Sequence, residues 1–96
     1  MNASATTILD VIDNAIYLMD KAEESGACRF SLHNQALLLR ADCFAFARTA
    51  GDPFARSFEM RAEEIEQMAN RYLLDLRHRT CAPQAACDCA AMLATT

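Results

Sequence analysis

Residues 52–79, DPFARSFEMRAEEIEQMANRYLLDLRHR, read as one amphipathic helix with a start signal and no internal breaker. Phe54, Phe58, Ala62, Ile65, Ala69, Tyr72 and Leu76 follow in steps of three and four, which puts them on one face. Glu59, Glu63, Glu64, Glu66, Gln67, Asn70, Arg71 and Arg77 occupy the remainder. Asp75 lies within helical reach of Arg71 and Arg79. A helix of about 26 residues is roughly 40 Å long at 1.5 Å per residue. That exceeds what one small core needs, so part of this helix is expected to meet another chain.

Immediately upstream stands the strongest punctuation in the chain, Gly51, Asp52 and Pro53. Gly ends one helix, Asp caps the next, and Pro suits a first helical turn. A link this short makes the flanking helices antiparallel neighbours. The preceding helix is expected over residues 32–50, capped by Ser31, with Leu32, Ala36, Leu39, Cys43, Phe46 and Ala47 as its main face. Leu37, Ala41 and Phe44 make a second stripe, with Leu38 and Ala45 near it. A helix apolar on two sides is central to its bundle or is covered by another molecule.

The first helix is expected over residues 7–25. Thr7 is its expected cap, with Asp10 three positions on as in a capping box. Ile8, Val11, Ile12, Ala15, Met19 and Ala22 form the centre of its apolar face. Leu9 and Ile16 widen that face on one side and Leu18 on the other, to roughly half the circumference, against about 100° for a simple surface helix. Gly26 is the expected stop. The fold class is therefore an all-α bundle of three main helices, about 7–25, 32–50 and 53–79. Residues 1–80 form the helical domain. Residues 81–96 are an Ala- and Cys-rich tail, with room for a short fourth helix near 84–94.

Composition narrows the function classes. Only two Gly and two Pro leave little for a sheet-and-turn protein, and a net charge of −4 argues against general nucleic-acid binding. Eight Arg against one Lys, beside 19 Ala, point to a GC-rich coding sequence and so to a bacterium. Residues 1–7 carry no Lys or Arg, and the first apolar residues are interleaved with Asp10 and Asp13, unlike a signal peptide. No apolar run reaches the ~20 residues of a membrane span. The expected compartment is the cytoplasm. Five cysteines, an odd count at irregular spacing, suit free thiols better than a disulfide framework.

No catalytic or metal signature emerges, and no cofactor is expected. Cys81, Cys87 and Cys89 are spaced C-x5-C-x-C, without the paired C-x2-4-C of a structural zinc site. His33 and His78 are isolated, and nothing places either beside Cys28 or Cys43 with a third, orienting group. The glutamates of the third helix lie opposite its apolar stripe and read as a solvated face. A DNA-reading helix–turn–helix needs a short recognition helix, whereas this one is long and acidic in its first half. A tetratricopeptide repeat has shorter helices and a small residue where Arg48 stands.

What the core leaves over is more telling. Leu37 and Phe44, with Met60 and Leu74 two helical strides apart, lie away from the main stripes and are the candidate partner or dimer interface. The expected function is that of a small non-catalytic regulator, a homodimer that also binds another protein through a helical apolar surface. An anti-activator sequestering a transcription factor and a secretion-type chaperone are two concrete forms. The alternatives are a thiol- or metal-dependent sensor built on the C-terminal cysteines, and a dimeric DNA-binding protein.

Overall fold

A computed structural model describes residues 4–78 of the chain, with side chains to Asp75. The architecture is all-α: α1 (Ala5–Glu24), α2 (Arg29–Ala50) and α3 (Phe54–His78). Three main helices were expected, and their ends differ in instructive ways. The tail, where a short fourth helix was expected near 84–94, lies outside the described residues, as do residue 79 and the Leu76 side chain.

α1 begins at Ala5, and its cap falls three residues before the expected Thr7. Ser4 is the N-cap, and its Oγ accepts from the Thr7 backbone N–H at 3.2 Å. Thr7 sits inside the first turn, where its hydroxyl lies 2.9 Å from Ser4 Oγ. Ser ranks above Thr as a cap, and the earlier start satisfies donors that would otherwise be orphaned. At the other end Gly26 takes a φ of 83°, as a stop residue should. Its N–H donates to the Glu23 carbonyl and that of Ala27 to the Ala22 carbonyl, both at 3.0 Å. This paired closure is a Schellman motif, and it needs the left-handed backbone that Gly supplies.

α2 starts at Arg29, three residues before the expected Leu32, and Cys28 caps it without a side-chain hydrogen bond. Ser31 lies inside the helix and accepts from Gln35 Nε2 at 3.1 Å. Arg29 holds the early start: its Nε donates to Asp75 Oδ2 at 2.9 Å and its Nη1 to the Ala27 carbonyl at 2.8 Å. One guanidinium thus ties the α1–α2 turn, the first turn of α2 and the last turns of α3. The second turn runs through Gly51, at φ 73°, and a cis Asp52–Pro53 bond. Pro53 precedes α3, and the Ala55 N–H donates back to the Gly51 carbonyl at 3.0 Å.

Side-chain pairs fix the helix directions. Arg29 meets Asp75, Arg40 meets Glu66 and Phe46 meets Phe58, so residue numbers fall on α3 as they rise on α2. Those two helices are antiparallel and approach closely along their length. Ala36, Cys43, Ala62 and Ala69 are buried between the larger side chains of the core, and small residues at a contact allow close helix approach. α1 stands further off. It lies parallel to α3, with Arg61 on Asp13 and Arg71 on Glu23, both pairs 48 residues apart.

The core takes Leu9, Ile12, Ile16 and Met19 from α1, Leu32, Ala36 and Cys43 from α2, and Phe58, Ala62, Ile65, Met68, Ala69 and Tyr72 from α3. The central stripe expected for α3 is therefore buried, with two adjustments. Phe54, in the first turn, is left 36% exposed, and Met68, which the expected stripe does not include, is buried. On α1 the buried face is rotated towards Leu9 and Ile16, leaving Val11 and Leu18 more than half exposed. The cause is the α1–α3 ion pairing. Asp13, Asp20 and Glu23 must reach Arg61 and Arg71, and this turns Val11 and Leu18 outwards.

Candidate functional site

The four expected interface residues are all on the surface: Leu37, Phe44, Met60 and Leu74 are 43%, 37%, 53% and 53% exposed. The hairpin register places them relative to each other. Because Phe46 meets Phe58, Phe44 falls level with Met60. Because Arg29 meets Asp75, Leu74 falls level with Phe30, at the opposite end. Fourteen residues separate Met60 from Leu74, about 21 Å of helix. The four are thus strung along the hairpin, with Phe44 and Met60 at one height along its axis.

Phe44 is partly sheltered. The Arg40 guanidinium carbon sits 5.2 Å from its ring centroid, while Arg40 Nη2 lies 3.6 Å from Glu66 Oε1. A cation over an aromatic face contributes about 0.5–1 kcal/mol at exposed sites, so this cover is weak and displaceable.

A second apolar surface lies on the other side of α2. A groove of about 670 Å³ opens between α1 and α2, lined among others by Leu18, Met19, Cys28, Leu32, Leu38 and Asp42. Leu18 and Leu38 are 56% and 70% exposed on its rim. The sequence placed Leu38 near the stripe of Leu37 and Phe44. Neighbouring residues on a helix point about 100° apart, and that angle sends Leu37 to the α3 side and Leu38 to the α1 side. The signal was present in the sequence, but the side each stripe serves depends on where α1 packs.

The groups that invite chemistry are engaged elsewhere. His33 Nδ1 lies 3.1 Å from the Ala69 carbonyl, to which the ring N–H donates, linking α2 to α3. Cys43 is a free, fully buried thiol. Burial, reinforced by the negative charge of Asp42, pushes its pKa up to about 11. A thiol so disposed packs as a small apolar side chain, as the sequence suggested, because the thiolate is the nucleophile. Among the described residues no three His, Cys, Asp or Glu side chains group as metal ligands.

Cys28 departs from the expectation of free thiols, for it is disulfide-bonded. This cap of α2 is half-buried and lines the α1–α2 groove. Cys81, Cys87 and Cys89 lie outside the described residues.

Among the described residues no helix is long and apolar enough to cross a membrane. No protein-family model, curated protein or solved structure matches the chain.

Proposed function

We propose that this chain is a small non-catalytic regulatory protein that binds a protein partner, and a second copy of itself, through the apolar outer surface of its α2–α3 hairpin. One observation carries the reading. Leu37, Phe44, Met60 and Leu74 stay exposed although the core of the same two helices is closed by buried residues along their length. Large apolar side chains strung on one hairpin are what a partner helix or a second copy would bury, and methionine suits adaptable contacts. An anti-activator that sequesters a transcription factor, or a chaperone for a secretion substrate, would use such a surface.

The non-catalytic part of the reading is supported by how the reactive groups are used. His33 spans the hairpin and Cys43 is held protonated in the core. Light scattering across a concentration series tests self-association: mass should rise towards that of a dimer. A monomer throughout, together with no partner trapped by chemical crosslinking in the native host, would leave this reading without support.

The disulfide at Cys28 favours a second reading, a thiol-dependent sensor. In a reducing cytoplasm such a bond is transient and responsive. Binding of the hairpin surface would then depend on the oxidation state of Cys28, and binding assays with and without reductant separate the two readings.

A further inference from the structure

α1 carries more apolar surface than the hairpin covers. Its apolar arc spans roughly half the helix circumference. Leu9, Ile12, Ile16 and Met19 take one half of that arc and are buried. Ile8, Val11, Ala15, Leu18 and Ala22 take the other half and are half-buried or exposed. This second half faces α2 across open space, because Ala15, Leu18 and Ala22 line the α1–α2 groove. On the far wall Leu38, at 70%, is the most exposed large apolar side chain among the described residues. Val11, two turns before Leu18, is 63% exposed on the same side of α1. What holds α1 in this setting lies on its other flank. Asp13, Asp20 and Glu23 reach Arg61 and Arg71 of α3, and each of these pairs is partly open to water. Such pairs contribute little net stability, since water screens them and long side chains lose freedom in making them. Closing the groove would bury Val11, Leu18 and Leu38 in exchange for uncovering Leu9, and apolar burial is the stronger class of interaction. The charged setting and an apolar one are therefore close in free energy.

We propose that α1 has two rotational positions on the hairpin, and that its ion pairs with α3 select between them. A roll of about 60° around its own axis, less than the ~100° between neighbouring residues, turns Val11 and Leu18 towards Leu38 and closes the groove. The same roll carries Asp13 and Asp20 away from Arg61 and Arg71 and moves Leu9 to the edge of the core. Ile12 and Met19 lie in the middle of the arc and stay buried in both positions. The sequence itself centres the apolar face of α1 on Ile8, Val11, Ile12, Ala15, Met19 and Ala22, which is the face that the rolled position buries. The ion pairs hold the helix away from that optimum. Ionic strength is the natural control, because salt weakens the pairs and leaves the apolar contacts in place. This side of the chain thus switches between an open apolar groove and a packed surface. Leu37 and Phe44 lie on the other side of α2, so the roll stands apart from the partner-binding reading.

Methyl NMR on the full chain, with a soluble paramagnet reporting the exposure of each methyl group, tests it. In the Arg61→Gln, Arg71→Gln double variant the paramagnetic relaxation of Val11 and Leu18 should fall at least about twofold as the population shifts. That of Leu9 should rise, and a methyl–methyl contact between Leu18 and Leu38 should appear. Circular dichroism should show unchanged helicity. The unmodified chain taken from low salt to about 1 M sodium chloride should move in the same direction, while Leu37 keeps its exposure. If the double variant fails to fold, the salt series on the unmodified chain decides alone. Val11 and Leu18 that stay as exposed at high salt as at low salt would overturn the proposal. Leu9, Ile16, Val11 and Leu18 all becoming more exposed together would also overturn it, because α1 would then detach instead of rolling.

Discussion

Arg61 and Asp13 face each other across α3 and α1 in a two-pronged ion pair, Nε to Oδ1 at 2.9 Å and Nη2 to Oδ2 at 3.0 Å. The remaining guanidinium nitrogen, Nη1, donates to the Ser57 carbonyl at 3.2 Å and holds the fork in place. Ten residues further along both helices Arg71 grips Glu23 through two bonds of 2.8 Å. Together these pairs set the register and rotation of a helix that otherwise meets the hairpin through flexible aliphatic side chains.

A double-mutant cycle on Arg61→Ala and Asp13→Ala measures the first pair. The Asp13 side chain is half exposed, so solvent screens much of the attraction. The expected coupling is about 0.5–1 kcal/mol by urea denaturation, smaller in high salt. A coupling of zero would mean that the aliphatic contacts alone orient α1.

The core of α3 should respond far more strongly. Ile65 is fully buried and Phe58 nearly so, and replacing either by Ala should cost roughly 2–5 kcal/mol through lost burial and a residual cavity. A near-neutral melt for either variant would place the stripe in solvent.

That stripe was legible because a 3.6-residue period over many turns survives any local error, and Gly26 and Gly51 marked both turns. Other features were hidden for identifiable reasons. Met68, outside the expected stripe, is buried and Val11, expected at the centre of its face, is exposed, because the depth of such a position depends on the angle at which the neighbouring helix arrives. The early start of α2 depends on Arg29 meeting Asp75 across 46 residues, which no local cap signal announces. Arg71, within reach of Asp75 on its own helix, turns instead to Glu23 on another. The exposure of Leu37 and Phe44 followed from their offset from the main face. The α1–α2 groove did not, since it is made by two helices that stand apart.

Raising the pH should weaken the fold from the inside. The Cys43 thiol is raised to about 11, and the Tyr72 phenol is also raised, chiefly by burial and then by the charge of Glu23. Both groups are neutral when protonated, so the folded state holds their protons more tightly than the unfolded chain. Their contribution is fully present below the unfolded thiol value of 9.0 and is lost as pH climbs through about 11. Stability from denaturant titrations should fall by something on the order of 1–3 kcal/mol across that window. Cys43→Ala and Tyr72→Phe should each flatten the decline, and an unchanged slope in both variants would assign it to other groups.

The last prediction concerns where a partner sits. Leu37, Phe44, Met60 and Leu74 are exposed, so an aspartate at any of them meets water in the monomer and leaves the core intact. Leu37→Asp, Phe44→Asp, Met60→Asp and Leu74→Asp should therefore preserve the helicity seen by circular dichroism while weakening association. The effects should not be equal. Leu37 and Phe44 lie two turns apart on one side of α2, and residues that share one contact region fail to add when changed together. Leu74, about 21 Å from Met60, should add independently. Burying an unpaired carboxylate in an apolar contact costs several kcal/mol, enough to lower association by at least about tenfold. Loss of helicity would put these residues in the monomer's own core. Full helicity with undiminished association would remove the hairpin surface from the contact and leave the exposed face of α1, with Val11 and Tyr17, as the surface that meets the partner.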